Sequence, residues 1–127
     1  MPERAFPTDA GMDLRTREQF CLWPGGHHTF DTGVHIAFDP GTYGKVESKS
    51  GLNRDEHIVV CGGTIDEGYT GSIGVTLYNL GERAHVFNVG DKIAQLVIQR
   101  YETPDIELVD ELPETPRGNA GFGSTGR

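Results

Sequence analysis

The chain has 127 residues, with 11 Lys and Arg against 19 Asp and Glu for a formal net charge of −8. Such a molecule repels duplex nucleic acid and anionic membranes as a whole, so an anionic ligand must be held by local donors or a metal that overcome the field. The length suits one domain burying roughly two-thirds of the surface of its unfolded chain.

Cys21 and Cys61 are too few for a disulfide scaffold, and no charged-then-apolar leader precedes the first globular stretch. Both features predict a soluble, intracellular, cytoplasmic protein. The apolar run IAQLVI at 93–98 is far too short to span a membrane and reads as a buried strand.

In chain order, short runs of Val, Ile, Phe, Tyr and Thr predict strands over 20–23, 28–38, 43–47, 57–61, 72–79, 84–88 and 92–101. Turn chemistry falls at Pro24-Gly25-Gly26, Asp39-Pro40-Gly41 and Glu67-Gly68. No window of ten residues shows helical apolar periodicity, so the fold class is all-β: a sandwich, jelly roll or barrel. The exception is SGLNRDEH at 50–57, which predicts one or two helical turns with Ser50 near the N-cap and backbone N–H groups turned toward an anion. After Tyr101 the pattern admits an edge strand up to about Val109. Pro113, Pro116 and a concentration of acids then predict a mobile arm, dividing the chain into a core over 1–109 and an arm over 110–127.

The arm ends in GFGSTG, a G-x-G-x-x-G pattern. A dinucleotide fingerprint requires a preceding strand and a following helix, yet only Arg127 follows, and no Gly-Lys-Ser/Thr completes a phosphate loop. A glycine tail and an anion-wrapping lid both remain. Arg117, Phe122, Ser124 and Thr125 among the glycines suit the second.

Four upstream stretches also carry chemistry. DAGMDL at 9–14 sets Asp13 between apolar neighbours, where an acid is usually solvated or paired and occasionally binds metal. ESKSGLN at 47–53 brings Lys49 and Ser50 beside Gly51, as an anion-binding turn or a plain polar loop. CGGTIDEGYTGSIG at 61–74 frames Ile65, Asp66 and Tyr69 with glycines. Asp66 there reads as a partly buried carboxylate able to act as general base, or as the Asp of an ordinary hairpin. GDKIAQLVI at 90–98 interrupts a buried strand with Gln95, whose amide must find partners in the core or in a ligand. The five histidines show no metal-ligand spacing, which predicts no zinc site.

These five stretches, in this order from Asp9 to Gly126, resemble the five motifs of the trimeric dUTPase family. The resemblance implies a jelly-roll-like β-barrel assembling as a homotrimer, with active sites between subunits and Mg²⁺ on the triphosphate. The implied reaction is hydrolysis of dUTP to dUMP and pyrophosphate, which limits uracil in DNA and supplies dUMP for thymidylate synthesis. The implied roles place Asp13 on the metal through water, Lys49, Ser50 and Gln95 at the phosphates, and Gly51 where backbone approaches phosphate. Asp66 would bind the 3′-hydroxyl and activate the attacking water, and Tyr69 would pack beneath the deoxyribose. The backbone around Gly63 and Ile65 would read the uracil edge. Phe122 would stack on the base after closure of the arm, while Arg117, Gly123, Ser124 and Thr125 wrap the phosphates.

The chain departs from the family pattern at Lys49, where Arg is usual, at Asp9 for Ser and at Ser48 for Pro; the segment before Ala10 is also short. Lysine supplies a point charge where arginine offers a two-pronged fork. The nearest rival on the same fold is a dCTP deaminase, which resembles this chain through the 61–74 hairpin but carries a catalytic Glu where Thr76 stands and Phe in place of Tyr69. A nucleotide-responsive regulatory module is the rival of another class.

Overall fold

The computed structural model describes residues 1–121. Its elements are β1 (Gly11–Arg15), β2 (Phe20–Leu22), β3 (His27–Asp31), β4 (Thr42–Glu47), α1 (Ser50–Glu56), β5 (Ile58–Val60), β6 (Thr64–Ile65), β7 (Gly74–Asn79), β8 (His85–Phe87) and β9 (Lys92–Arg100). Among the described residues the strands form a four-stranded sheet β1-β9-β4-β6, a three-stranded sheet β3-β7-β5 and the pair β2-β8. The all-β expectation holds, and no helix among these residues is long and apolar enough to cross a membrane.

Period-2 alternation sends one face of each strand inward. Leu14, Val46 and Leu96 from the four-stranded sheet meet Val75 and Leu77 from the three-stranded one, with Phe30 and Phe87 edge to face at 5.3 Å. Burying a side chain of this kind contributes about 1.5–3 kcal/mol. A fully buried amide, Asn79, joins three segments: its Nδ2 donates to Leu22 O at 2.9 Å and Arg83 O at 2.8 Å, while Oδ1 accepts from Gly81 N at 2.9 Å.

The three predicted turns form, each closed by an i to i+3 backbone hydrogen bond: Gly26 N to Trp23 O, Thr42 N to Asp39 O and Tyr69 N to Asp66 O. Two strand expectations fail. The strand predicted over 28–38 stops at Asp31, because Gly33 takes a φ of +64° and donates its N–H to Asp31 Oδ1. The edge strand admitted up to Val109 does not form: β9 ends at Arg100, and Ile106 and Leu108 are almost fully exposed. The short N-terminal segment contributes one isolated bridge, with Asp13 N donating to Glu3 O at 2.8 Å.

Candidate active site

The outer face of the four-stranded sheet gathers three of the sequence-predicted residues. Asp13 on β1 sits directly opposite Gln95 on β9, which in turn opposes Glu47 on β4. Residues opposed across neighbouring strands share a face, so register alone brings Asp13 and Gln95 together across 82 positions of sequence. With Lys49 they line a cleft of about 320 Å³. Gln95 finds the partner its burial requires, Nε2 donating to Ser48 O at 3.1 Å.

Lys92, which the sequence did not single out, completes the cluster. Strict alternation would place it on the face opposite Gln95. A bulge shifts the register between Leu14 and Arg15, so that Ile93 and Ala94 are both buried and Lys92 emerges beside Asp13. Re-aiming one side chain is a characteristic effect of a bulge. Lys92 Nζ lies 2.6 Å from Asp13 Oδ2, and Lys49 Nζ donates to Oδ1. Burial opposes ionisation of Asp13, but the hydrogen bonds from Lys49 and Lys92 outweigh it and hold the carboxyl below its usual range.

Gly11 was also passed over. A Cβ there would collide with the Gln95 side-chain amide, lying 2.9 Å from its carbonyl carbon. A missing side chain on β1 thus leaves room for the glutamine.

Lys49 takes the extended N-cap conformation of α1, with no side-chain cap, and Ser50 opens the helix. The first intrahelical acceptor is Lys49 O, bonded by Asn53 N, so the N–H groups of Ser50, Gly51 and Leu52 precede the helical ladder. Donors of this kind beside ammonium groups suit phosphate oxygens.

Asp66 and Tyr69 lie elsewhere on the chain. Gly63, held at φ +114° with a would-be Cβ 2.7 Å from Val46 O, lets the backbone cross tightly into β6, and Asp66 follows immediately. Asp66 lines a separate cleft with Tyr43, Glu67 and Tyr101. The expected partial burial of its carboxylate is not seen: Asp66 is exposed, because a two-residue edge strand ends at it and the chain turns outward. Tyr69 is 46% exposed, its hydroxyl donating to Ser72 O at 2.9 Å, and a Cβ at Gly71 would fall 2.6 Å from its Cζ.

Asp66 stands three strands from Asp13, and Ile65 pairs with Gly44 whereas Gln95 pairs with Glu47. These offsets separate the two acids by roughly 14 Å across the sheet and roughly 13 Å along it. Arg117 is exposed, its Nε donating to Ala120 O at 3.0 Å. Phe122, Gly123, Ser124 and Thr125 lie outside the described residues.

The family model for dUTPase matches residues 1–126. This chain belongs to the dUTPase family. It is 45% identical to the deoxyuridine 5′-triphosphate nucleotidohydrolase of Corynebacterium glutamicum over 130 aligned positions, spanning 100% of this chain and 87% of that relative. A mutant dUTPase of Staphylococcus bacteriophage 80alpha with dUpNHpp superposes with a TM-score of 0.90 at 31% identity, covering 100% of this chain and 92% of that one. A second dUTPase mutant, from phage phi11 of S. aureus and described for coordination of a structural Mg(II) ion, gives a TM-score of 0.82 at 31% identity over 87% of this chain and 90% of its own. On the three-stranded sheet, Thr76 Oγ1 lies 2.8 Å from Thr29 Oγ1 of the neighbouring strand.

Proposed function

We propose that this chain hydrolyses dUTP to dUMP and pyrophosphate, with water attacking the α-phosphorus, in a site assembled between copies of a homotrimer. The observation that carries the reading is the polar cleft lined by Asp9, Asp13, Lys49 and Gln95, beside which Lys92 pairs with Asp13 and α1 begins at Ser50. Lys49, Ser50 and Gln95 bind the phosphates, and Gly51 lets them approach the backbone.

Asp66 binds the 3′-hydroxyl and takes the proton of the attacking water. A base must lie within about 3 Å of the proton it removes, whereas Asp66 and the phosphate cleft of one chain are far apart. Apposition of the Asp66 hairpin of one copy to the cleft of another closes that gap. Tyr69 packs under the deoxyribose, and the backbone of Gly63 and Ile65 reads the uracil edge. The arm over 110–127 brings Arg117, Ser124, Thr125 and Gly123 to the phosphates and Phe122 onto the base, a stack worth about 1–3 kcal/mol.

Mg²⁺ fits this donor set in one manner. Both Asp13 oxygens already accept from lysines, yet a carboxylate offers about four lone-pair sites, so Asp13 can still receive a water of the metal's shell. Bound there with the triphosphate, the ion would neutralise charge on the phosphate oxygens.

Pyrophosphate release from dUTP, dCTP, dTTP and UTP tests the reading, repeated with Asp66→Asn and with the chain truncated after Pro116. Turnover of dUTP alone, near-abolition by Asp66→Asn and a large loss on truncation are expected. Ammonia release from dCTP, or full activity of the Asn variant, would overturn the mechanism. A monomer in sedimentation that remains fully active would overturn the shared site.

A further inference from the structure

We infer that Glu67 and Tyr101 are positioning residues that aim Asp66 at its water. This rests on the reading of Asp66 as the base. The geometry is a three-way clamp: Glu67 Oε2 accepts the Tyr101 hydroxyl at 2.7 Å and Gly41 N at 3.0 Å, and Tyr101 N donates to Gly41 O at 3.2 Å. The turn that begins at Asp66 is thereby fastened to the β3–β4 connection and to the first residue after β9. On the other side of Asp66, Ile65 pairs with Gly44, and the Asp66 carbonyl accepts from Tyr69 N at 3.0 Å. With its carbonyl and both neighbours fixed, the Cα–Cβ direction of Asp66 is set although its carboxylate is exposed.

The clamp has its own support. The Tyr43 ring meets Tyr101 edge to face at 5.9 Å, and its hydroxyl donates to Gln99 Oε1 at 2.7 Å, so Tyr101 is held from two sides. The Tyr101 hydroxyl, then the Gly41 amide, hold the Glu67 carboxyl below its ordinary range, while Glu67 raises the Tyr101 phenol above its own. Both groups therefore keep their bonding protonation states throughout the neutral range. Exposed hydrogen bonds of this sort contribute little to stability, because water competes for the same groups. Their larger consequence is directional, because misplacing a reacting group by about 1 Å can cost about 10²-fold in rate.

Steady-state kinetics on the full chain test the inference. Glu67→Ala should lower kcat by about 10- to 100-fold, with KM, thermal midpoint and sedimentation unchanged. Glu67→Gln should recover most of that loss, because both hydrogen bonds fall on one oxygen that an amide carbonyl replaces. Tyr101→Phe, which removes only a hydroxyl and keeps the chain folded, should lower kcat less and cost nothing further in the Glu67→Ala background. Wild-type kcat in Glu67→Ala, a Gln variant no better than Ala, or a loss that tracks melting or dissociation would each overturn it. Full activity in Asp66→Asn would instead overturn the reading of Asp66 as base.

Discussion

Lys92 Nζ lies 2.6 Å from Asp13 Oδ2, on a carboxylate whose other oxygen takes Lys49. Two ammonium groups thus share one carboxylate, and Asp9 lines the same cleft. In a molecule of net charge −8 the two lysines balance the acids of the cleft, Asp9 and Asp13, before any metal is considered. Asp13, at 6% exposure, holds the two lysines in place.

Lys92→Met removes one partner and leaves Lys49. Asp13 remains ionised but less well compensated, and the half-exposed lysine was partly screened by water. Urea unfolding should show a loss of about 1 kcal/mol, and carboxyl carbon NMR should show the Asp13 pKa moving upward.

The same pair sets a pH dependence. The folded pKa of Asp13 lies below the ordinary value of 3.8, so the folded state binds its proton less readily than the unfolded chain does. The stabilisation is therefore complete above the unfolded value and is lost as pH falls through the folded one. Thermal midpoints measured without Mg²⁺ should fall more steeply below pH 4 in the wild type than in Asp13→Asn.

Gly11→Ala places a methyl where the Gln95 amide rests. The glutamine must swing away from Ser48 O, and overpacking of this kind costs about 1–3 kcal/mol. The value of kcat/KM for dUTP should drop by at least about tenfold, equivalent to about 1.4 kcal/mol. An unchanged value would show that Gln95 does not touch substrate.

Gly71→Ala tests the proposed packing of Tyr69 beneath the sugar. Its methyl would overlap the Tyr69 ring, which must tilt away from the Ser72 carbonyl it now meets. The ratio of kcat/KM for dUTP over UTP should shrink severalfold, while the thermal midpoint moves little because Tyr69 is half-exposed.

Asn79→Ala tests the fold apart from the site. It strands the carbonyls of Leu22 and Arg83 and the amide of Gly81, which at about 1 kcal/mol each amounts to a destabilisation of about 3 kcal/mol. The midpoint in urea should fall accordingly, with kcat of the folded fraction unaltered.

The amino-acid sequence by itself determined the all-β class, the three turns, the short helix at Ser50 and most strand positions, because these follow from side-chain alternation and from local Pro and Gly chemistry. It also singled out Asp13, Lys49, Asp66 and Gln95 as candidates, of which the structure brings Asp13, Lys49 and Gln95 together and leaves Asp66 in a separate cleft. It did not carry Lys92, whose face depends on a bulge formed only when β1 pairs with β9, nor the space left by Gly11, which has meaning only once Gln95 lies across from it. The end of β3 at Asp31 and the exposure of Asp66 were likewise decided by hydrogen bonds and sheet position. Register is a relation between distant segments, and only the tertiary structure fixed which acid met which base and on which face.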